Sequence, residues 1–176
     1  MYGAGDWKLG YTKTGVKGPR RKIAQIGAED RKRFLEGLPA MGKLVKAITR
    51  TIDGYMASEV RVKGRDYLIG LDGRRVFVRS SHAALNTLLQ SAGALIMKRA
   101  LVIADADLQA VGLVPGVDYE FVANVHDEWQ LDVAPAHVDL VKATLAHAIT
   151  KAGEYYSFRC PLIGNSDHGK NWKETH

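Results

Sequence analysis

Much of what commonly anchors a sequence is missing from this one. A single cysteine, Cys160, stands among 176 residues, which excludes an internal disulfide and suits a reducing compartment. The N-terminus, MYGAGDWKLG, carries no apolar signal-like core, and no stretch approaches the ~18–20 apolar residues of a membrane span. There is no internal repeat and no low-complexity tract. The chain is therefore expected to be soluble and cytoplasmic, with no membrane partner. What is present is a globular composition, 46% hydrophobic, in a length that suits one domain or two small lobes.

Charge is unevenly spread. The formal net charge is +6 and the isoelectric point about 9.4, a surplus that suits a polyanionic partner. Lys13, Lys17, Arg20, Arg21 and Lys22 crowd a segment punctuated by Gly10, Gly15, Gly18 and Pro19, and Arg31, Lys32 and Arg33 follow. The acids gather later in the chain.

The spacing of apolar residues predicts an α+β layout of segregated elements. Residues 4–27 read as a Gly-rich loop with at most short helical turns. A short helix is expected from Glu29 to Glu36. A longer one should run from Pro39 to Glu59, with Leu44, Val45, Ile48, Ile52, Tyr55 and Met56 at helical spacing. Its Lys43, Lys46 and Arg50 form a basic stripe, suited to solvent or to phosphate contact. Arg61 to Arg79 reads as a β-ribbon turning at Gly70–Gly73. Ser80 or Ser81 then caps a long helix reaching about Gln109, and Pro135 to Ala152 forms another amphipathic helix.

Between those last two helices lies FVANVHDEWQLDV. Trp129, Leu131 and Val133 alternate with Gln130 and Asp132, the period of a half-buried strand. Tyr119 to Val125 is aromatic and β-branched, so the two runs predict a hairpin with His126, Asp127 and Glu128 at its tip. Hairpin turns favour Asn-Gly or Asp-Gly, and this tip has no glycine. A solvated acidic turn is one reading. The other is a site for a hard divalent cation, which takes carboxylate oxygens.

The long helix carries its own pattern. His82, Asn86 and Gln90 recur at i, i+4 and i+8 and share one face, continued by Gly93. Such a row is either a polar solvent face or a set of donors for a flat substrate. The DNA minor groove offers acceptors at every base pair, whatever the sequence. Arg74, Arg75 and Arg79 would then suit phosphates.

VHDEWQLDV resembles motif C of the family A DNA polymerases, the DNA polymerase I family. GLDGRRVFVRSSHAALNTLLQSAGALIMK is similar to the matching stretch of the phage replicative members. YGAGD resembles the end of motif B, and the NW…H ending resembles the family's C-terminus. The resemblance covers essentially the whole chain. It implies template-directed nucleotidyl transfer with Mg2+, on template–primer DNA and dNTP. Asp127 would be a metal-binding catalytic aspartate, Glu128 an auxiliary acid at the metal, and His126 a neighbour of the primer terminus. Asn86 and Gln90 would contact the minor groove, with His82 where cellular members often carry Arg, and Tyr2 would lie near the nascent base pair. Residues 1–80 would be the remainder of the fingers and 81–176 the C-terminal half of the palm.

The same resemblance implies missing parts. Motif A, with the second catalytic aspartate, and most of motif B would precede Met1. The expectation is therefore a C-terminal fragment, inactive alone and completed by a complementary N-terminal polymerase fragment in the cytoplasm, that of the host cell if phage-encoded. The alternative is a non-catalytic DNA-binding module derived from a polymerase.

Overall fold

The computed structural model describes residues 5–15, 18–57 and 60–175. The chain divides into two compact units, Met1–Ser91 and Ala92–His176. The architecture is α+β: helices with small antiparallel sheets, each two-stranded among the described residues.

The first unit opens on two helices, α1 (Asp6–Thr14) and α2 (Arg20–Gly37). They pack through glycine. A Cβ at Gly10 would lie 1.9 Å from the Ile23 carbonyl oxygen, and one at Gly27 would lie 1.8 Å from that of Asp6. Only bare backbone permits so close an approach. Ion pairs from Asp6 to Arg31 at 2.9 Å and from Lys13 to Asp30 at 2.6 Å reinforce the pairing. This corrects the expectation of a loop over residues 4–27 and of a helix confined to Glu29–Glu36. Glycines read as loop formers are contact points between helices, and Pro19 stands at the N-terminus of α2.

The next helix, α3 (Pro39–Asp53), starts at a proline, as expected. It stops six residues before Glu59. Gly54 takes φ 77°, donates its N–H to the Arg50 carbonyl and turns the chain into β1 (Gly54–Ala57). Tyr55 and Met56, assigned above to the helix, therefore lie on a strand. β1 pairs antiparallel with β2 (Val60–Lys63), and a separate ribbon joins β3 (Tyr67–Ile69) to β4 (Arg75–Phe77). The single ribbon expected from Arg61 to Arg79 is thus shared between two hairpins. The second turns at the predicted place, where Gly70 and Arg74 bond across the turn and Gly73 takes φ 80°. Ile48, Leu68, Val78 and Ala84 form this unit's core, with Ile52, Leu85 and Leu88 against them.

The long helix α4 (Ser81–Ala110) has almost the expected bounds. It ends in a Schellman arrangement: Gly112 takes φ 91°, its N–H bonds to Gln109, and that of Leu113 bonds back to Leu108. By length and composition α4 is apolar enough to cross a membrane, correcting the expectation that no stretch approaches a span. Small neutral residues between the apolar ones raise its mean hydropathy. Its polar contacts are those of a packed helix: Asp107 accepts from Lys151 at 2.7 Å, Asp105 accepts from the Tyr119 hydroxyl at 2.6 Å, and Arg99 lies 3.6 Å over the Tyr155 ring.

The second unit builds its core between α4, the hairpin β5 (Tyr119–Val125) and β6 (Glu128–Val133), and α5 (Val138–Tyr155). Ala100 and Ala104 meet Ala148 and Ala152, with Phe121 and Trp129 packed on that seam. Leu108, Leu113, Tyr119 and Val141 fill the other end. Burial, and then the Asp105 carboxylate, push the Tyr119 phenol up to about 12.

Candidate functional site

The acidic tip is built by the hairpin's register. Val125 pairs with Glu128, which leaves a two-residue turn of His126 and Asp127. His126 takes φ 55°, the left-handed conformation that tight hairpin turns demand and glycine ordinarily supplies. Positive φ at a non-glycine residue stores backbone strain of order 1–3 kcal/mol and is enriched at functional sites. His126 and Asp127 are exposed, and Glu128 is half-buried and bonded to the Gln130 amide.

A bulge sets which way the hairpin's side chains face. Phe121 pairs with Leu131, but Ala123 pairs with Gln130, so Val122 is an extra residue. Below the bulge, Tyr119 and Phe121 share the core face with Leu131 and Val133. Beyond it, Val125 shares the outer face with Glu128 and Gln130. Bulges commonly re-aim side chains beside active sites.

Asp127 and Glu128 border a cleft of about 890 Å³ between β6, α5 and the C-terminal segment. The segment is tied along α5: Thr150 donates to the Leu162 carbonyl at 2.9 Å, Ser166 to that of Lys142 at 3.3 Å, and Lys142 meets His168 at 3.2 Å. A Cβ on Gly164 would stand 3.0 Å from Ala146. Lys142, His168, Lys170 and Asn171 thus share the cleft with the two acids. Sequence reasoning singled out the asparagine only through the NW…H ending and missed the other three, because the segment lacks regular periodicity.

Asp127 and Glu128 bring two hard carboxylate donors to one tip, part of the oxygen shell a divalent cation takes. Among the described residues no group of three His, Cys, Asp or Glu side chains could hold a metal. Two carboxylates do not by themselves complete such a shell.

In the first unit, His82, Asn86 and Gln90 lie on α4 as predicted, His82 and Gln90 exposed and Asn86 half-exposed. None of the three makes a side-chain hydrogen bond to another described residue, so their polar groups are available. The arginines differ from one another. Arg74 bonds to Asp72 within the turn, Arg75 lies 4.8 Å over the Tyr67 ring, and Arg79 is exposed. Tyr2 lies outside the described residues.

Sequence reasoning also passed over two aromatics in this unit. Trp7 and Tyr11 stack at 5.4 Å between ring centroids, 16° from parallel, and Arg20 lies 5.6 Å from the Trp7 ring. The available signal was an aromatic pair at i, i+4 among lysines, in DWKLGYTK.

The model of DNA polymerase family A matches residues 1–174. The DNA-directed DNA polymerases of Enterobacteria phage T3 and Escherichia phage T7 are each 40% identical over the whole chain, which covers 25% of each relative. That of Escherichia phage Phieco32 is 35% identical over 99% of the chain. This chain therefore spans about a quarter of the length of the curated relatives it matches. Among solved structures, the POL domain of Pol1 from M. smegmatis, in complex with DNA primer-template and dNTP, aligns with 94% of this chain and 26% of its own. The TM-score is 0.64 at 16% identity, a likeness of fold.

Proposed function

The chain belongs to DNA polymerase family A, and from that premise we propose that it is the C-terminal portion of a DNA-directed DNA polymerase. Residues 1–80 would be the remainder of the fingers and 81–176 the second half of the palm. The observation that carries this reading is the end-to-end family match joined to two adjacent carboxylates on a hairpin tip. The reaction is template-directed nucleotidyl transfer: the primer 3′ oxygen bonds to the α-phosphorus of a dNTP, and pyrophosphate leaves with its electrons.

Asp127 and Glu128 would hold Mg2+ together with a carboxylate from elsewhere in the enzyme. Bound there, the cation would lower the pKa of the attacking hydroxyl and neutralise charge on the phosphates. The chain's own residues act by position. The two-residue turn fixes the Asp127 backbone between paired strands, which sets where its carboxylate is presented. Gln130 restrains Glu128 as the auxiliary acid, and His126 stands beside them toward the primer terminus. Asn86 and Gln90, with His82 in the same row, donate to acceptors that every base pair offers in the minor groove. Arg74, Arg75 and Arg79 serve phosphates, and Tyr2 the nascent base pair.

A complementary N-terminal fragment, sharing the host cytoplasm, would complete the site. Two features support it. The Trp129 indole N–H is buried with no hydrogen-bond partner among the described residues, at a penalty of roughly 1–3 kcal/mol that a further carbonyl would remove. Val122 and Val125 lie exposed on the hairpin, and an isolated two-stranded ribbon is marginal on its own.

The test is reconstitution with a fragment carrying motif A and the rest of motif B. Primer extension should appear only in the mixture. Asp127→Asn should nearly abolish it while leaving DNA affinity intact or tighter, since a negative charge near phosphates is removed. Glu128→Gln should reduce extension less. Gln90→Ala should weaken extension equally on all template sequences. Incorporation by the purified chain alone would overturn the shared site. DNA binding without extension in any mixture would favour a non-catalytic binding module.

A further inference from the structure

The C-terminal segment is held along α5 by ties of two kinds. Up to Ser166 they involve no titratable side chain: Thr150 donates to the Leu162 carbonyl, Ser166 donates to that of Lys142, and Gly164 packs against Ala146. Beyond Ser166 the bonds of Lys170 and Asn171 to Glu174, and of Thr175 to Trp172, close on the segment itself. There His168 reaches α5, with its Nδ1 3.2 Å from the Lys142 Nζ. These two partners permit one arrangement of protons. An ammonium has three donors and no acceptor, so Nδ1 must present its lone pair and the ring proton must sit on Nε2. The ring is therefore neutral in this contact. A protonated imidazole carries an N–H on both nitrogens, which would set donor against donor and two like charges 3.2 Å apart. Neither residue makes an ion pair with a described acid, so no carboxylate in contact offsets that repulsion.

We propose that Lys142 and His168 form a pH-sensitive latch on the last turn of the segment, closed while the imidazole is neutral and released when it takes a proton. The turn it holds brings Lys170, Asn171, Trp172 and Thr175 to the cleft that Asp127 and Glu128 border, so release uncovers one wall of that cleft. The charged groups around the ring favour release. Asp167 precedes it on the segment, Asp127, Glu128 and Asp132 line the cleft from the hairpin, and Lys142 and Lys170 are the cations. Glu174 is engaged with Lys170 and Asn171. An imidazolium freed from Lys142 thus has carboxylates to turn to. Imidazoles change charge between about pH 5 and 8, so the latch is closed at the upper end of that range and opens on acidification. It follows from the contacts of this chain and requires no synthesis at the cleft.

The test is nitrogen-15 NMR of the full chain between about pH 8 and about pH 5. Amide shifts and heteronuclear NOEs of residues 169–175 should report an ordered turn at the upper end. Acidification should raise the released fraction by roughly 2- to 10-fold, the factor that one net hydrogen bond supplies, with a midpoint shared by the His168 ring. Residues 162–166, held by ties that do not titrate, should keep their order. Lys142→Met should release the turn at both ends of the range. His168→Asn, whose amide oxygen accepts from Lys142 at any pH, should hold it at both, and circular dichroism verifies α5 in each variant. A turn that stays ordered throughout in the unsubstituted chain would overturn the latch, as would an ordered turn in Lys142→Met or a pH response that survives His168→Asn. Loss of order in 162–166 together with 169–175 would overturn it too, because the change would then be a loosening of the whole segment.

Discussion

Gly27→Ala sets helix propensity against packing, and the two make opposite forecasts. Inside a helix, Ala is favoured over Gly by about 1 kcal/mol, so on propensity alone the substitution stabilises. The structure reverses the sign. The new Cβ would meet the Asp6 carbonyl oxygen at 1.8 Å and the Gly10 nitrogen at 2.8 Å, both backbone atoms with no rotamer to escape into. Restoring even a 3.0 Å separation moves α1 away from α2 by about 1.2 Å. That opens the pairing around buried Gly10 and lengthens the Asp6–Arg31 and Lys13–Asp30 pairs. Overpacking of this kind costs roughly 1–3 kcal/mol, and the surface pairs add at most about 1 kcal/mol each. The expected net loss is on the order of 2 kcal/mol. Urea denaturation followed by far-UV circular dichroism measures it, and limited proteolysis should find new cleavage across residues 5–19. Gly10→Ala should behave alike, and the double variant should lose far less than the sum, because one methyl already opens the shared contact. A gain of about 1 kcal/mol in Gly27→Ala, the propensity value, would refute the close crossing.

Gly93 supplies the reverse case: a Cβ there meets nothing within 4 Å, so Gly93→Ala should stabilise α4 by up to about 1 kcal/mol, read as a higher urea midpoint. Tyr119 should make stability fall at high pH. Its phenol is raised to about 12 from an unfolded value near 10, so its contribution is complete below about pH 10 and lost as pH rises toward 12. Tyr119→Phe should cost about 1 kcal/mol at neutral pH and flatten that fall in a pH series of urea melts. His126→Gly should raise the melting temperature slightly, since it removes a left-handed non-glycine residue at roughly 1–2 kcal/mol against roughly 0.5–1 kcal/mol of glycine entropy. An unchanged or lower melting temperature would show that His126 bears no net strain.

The parts of the fold legible in the sequence are those whose side chains alternate with a single period. Trp129, Leu131 and Val133 announce β6 because they line the second unit's core, and α4 is announced by Leu85 and Leu88 on the first unit's core and by Ile96 and Ala100 in the second's. The N-terminal pair was illegible for a physical reason. Gly10 and Gly27 carry no hydrophobic signal, yet contact between backbones is what joins α1 to α2, so local rules read the segment as loop. Val122 was hidden similarly. A bulge leaves composition unchanged and is visible only in the partner strand, where Gln130 answers Ala123 and Leu131 answers Phe121.

The hairpin tip stands where it was expected, on residues that turn chemistry disfavours. Turn chemistry asked for glycine and found His126, and the fold answers by holding that histidine at φ 55°. A residue that violates its local preference persists when its surroundings over-determine it, and such conflicts gather at functional positions. Here the surroundings are the pairs Val125–Glu128 and Asn124–Trp129 and the aromatic packing of Trp129 on Phe121. They anchor the strands one residue on either side of the turn, which leaves His126 no extended alternative. The strain and the presentation of Asp127 therefore have a common origin. A glycine at 126 would relax the turn and also remove the imidazole next to the acids. Within the polymerase reading, retention of histidine at a position suited to glycine is the expected mark of a side chain kept for chemistry at some expense in stability.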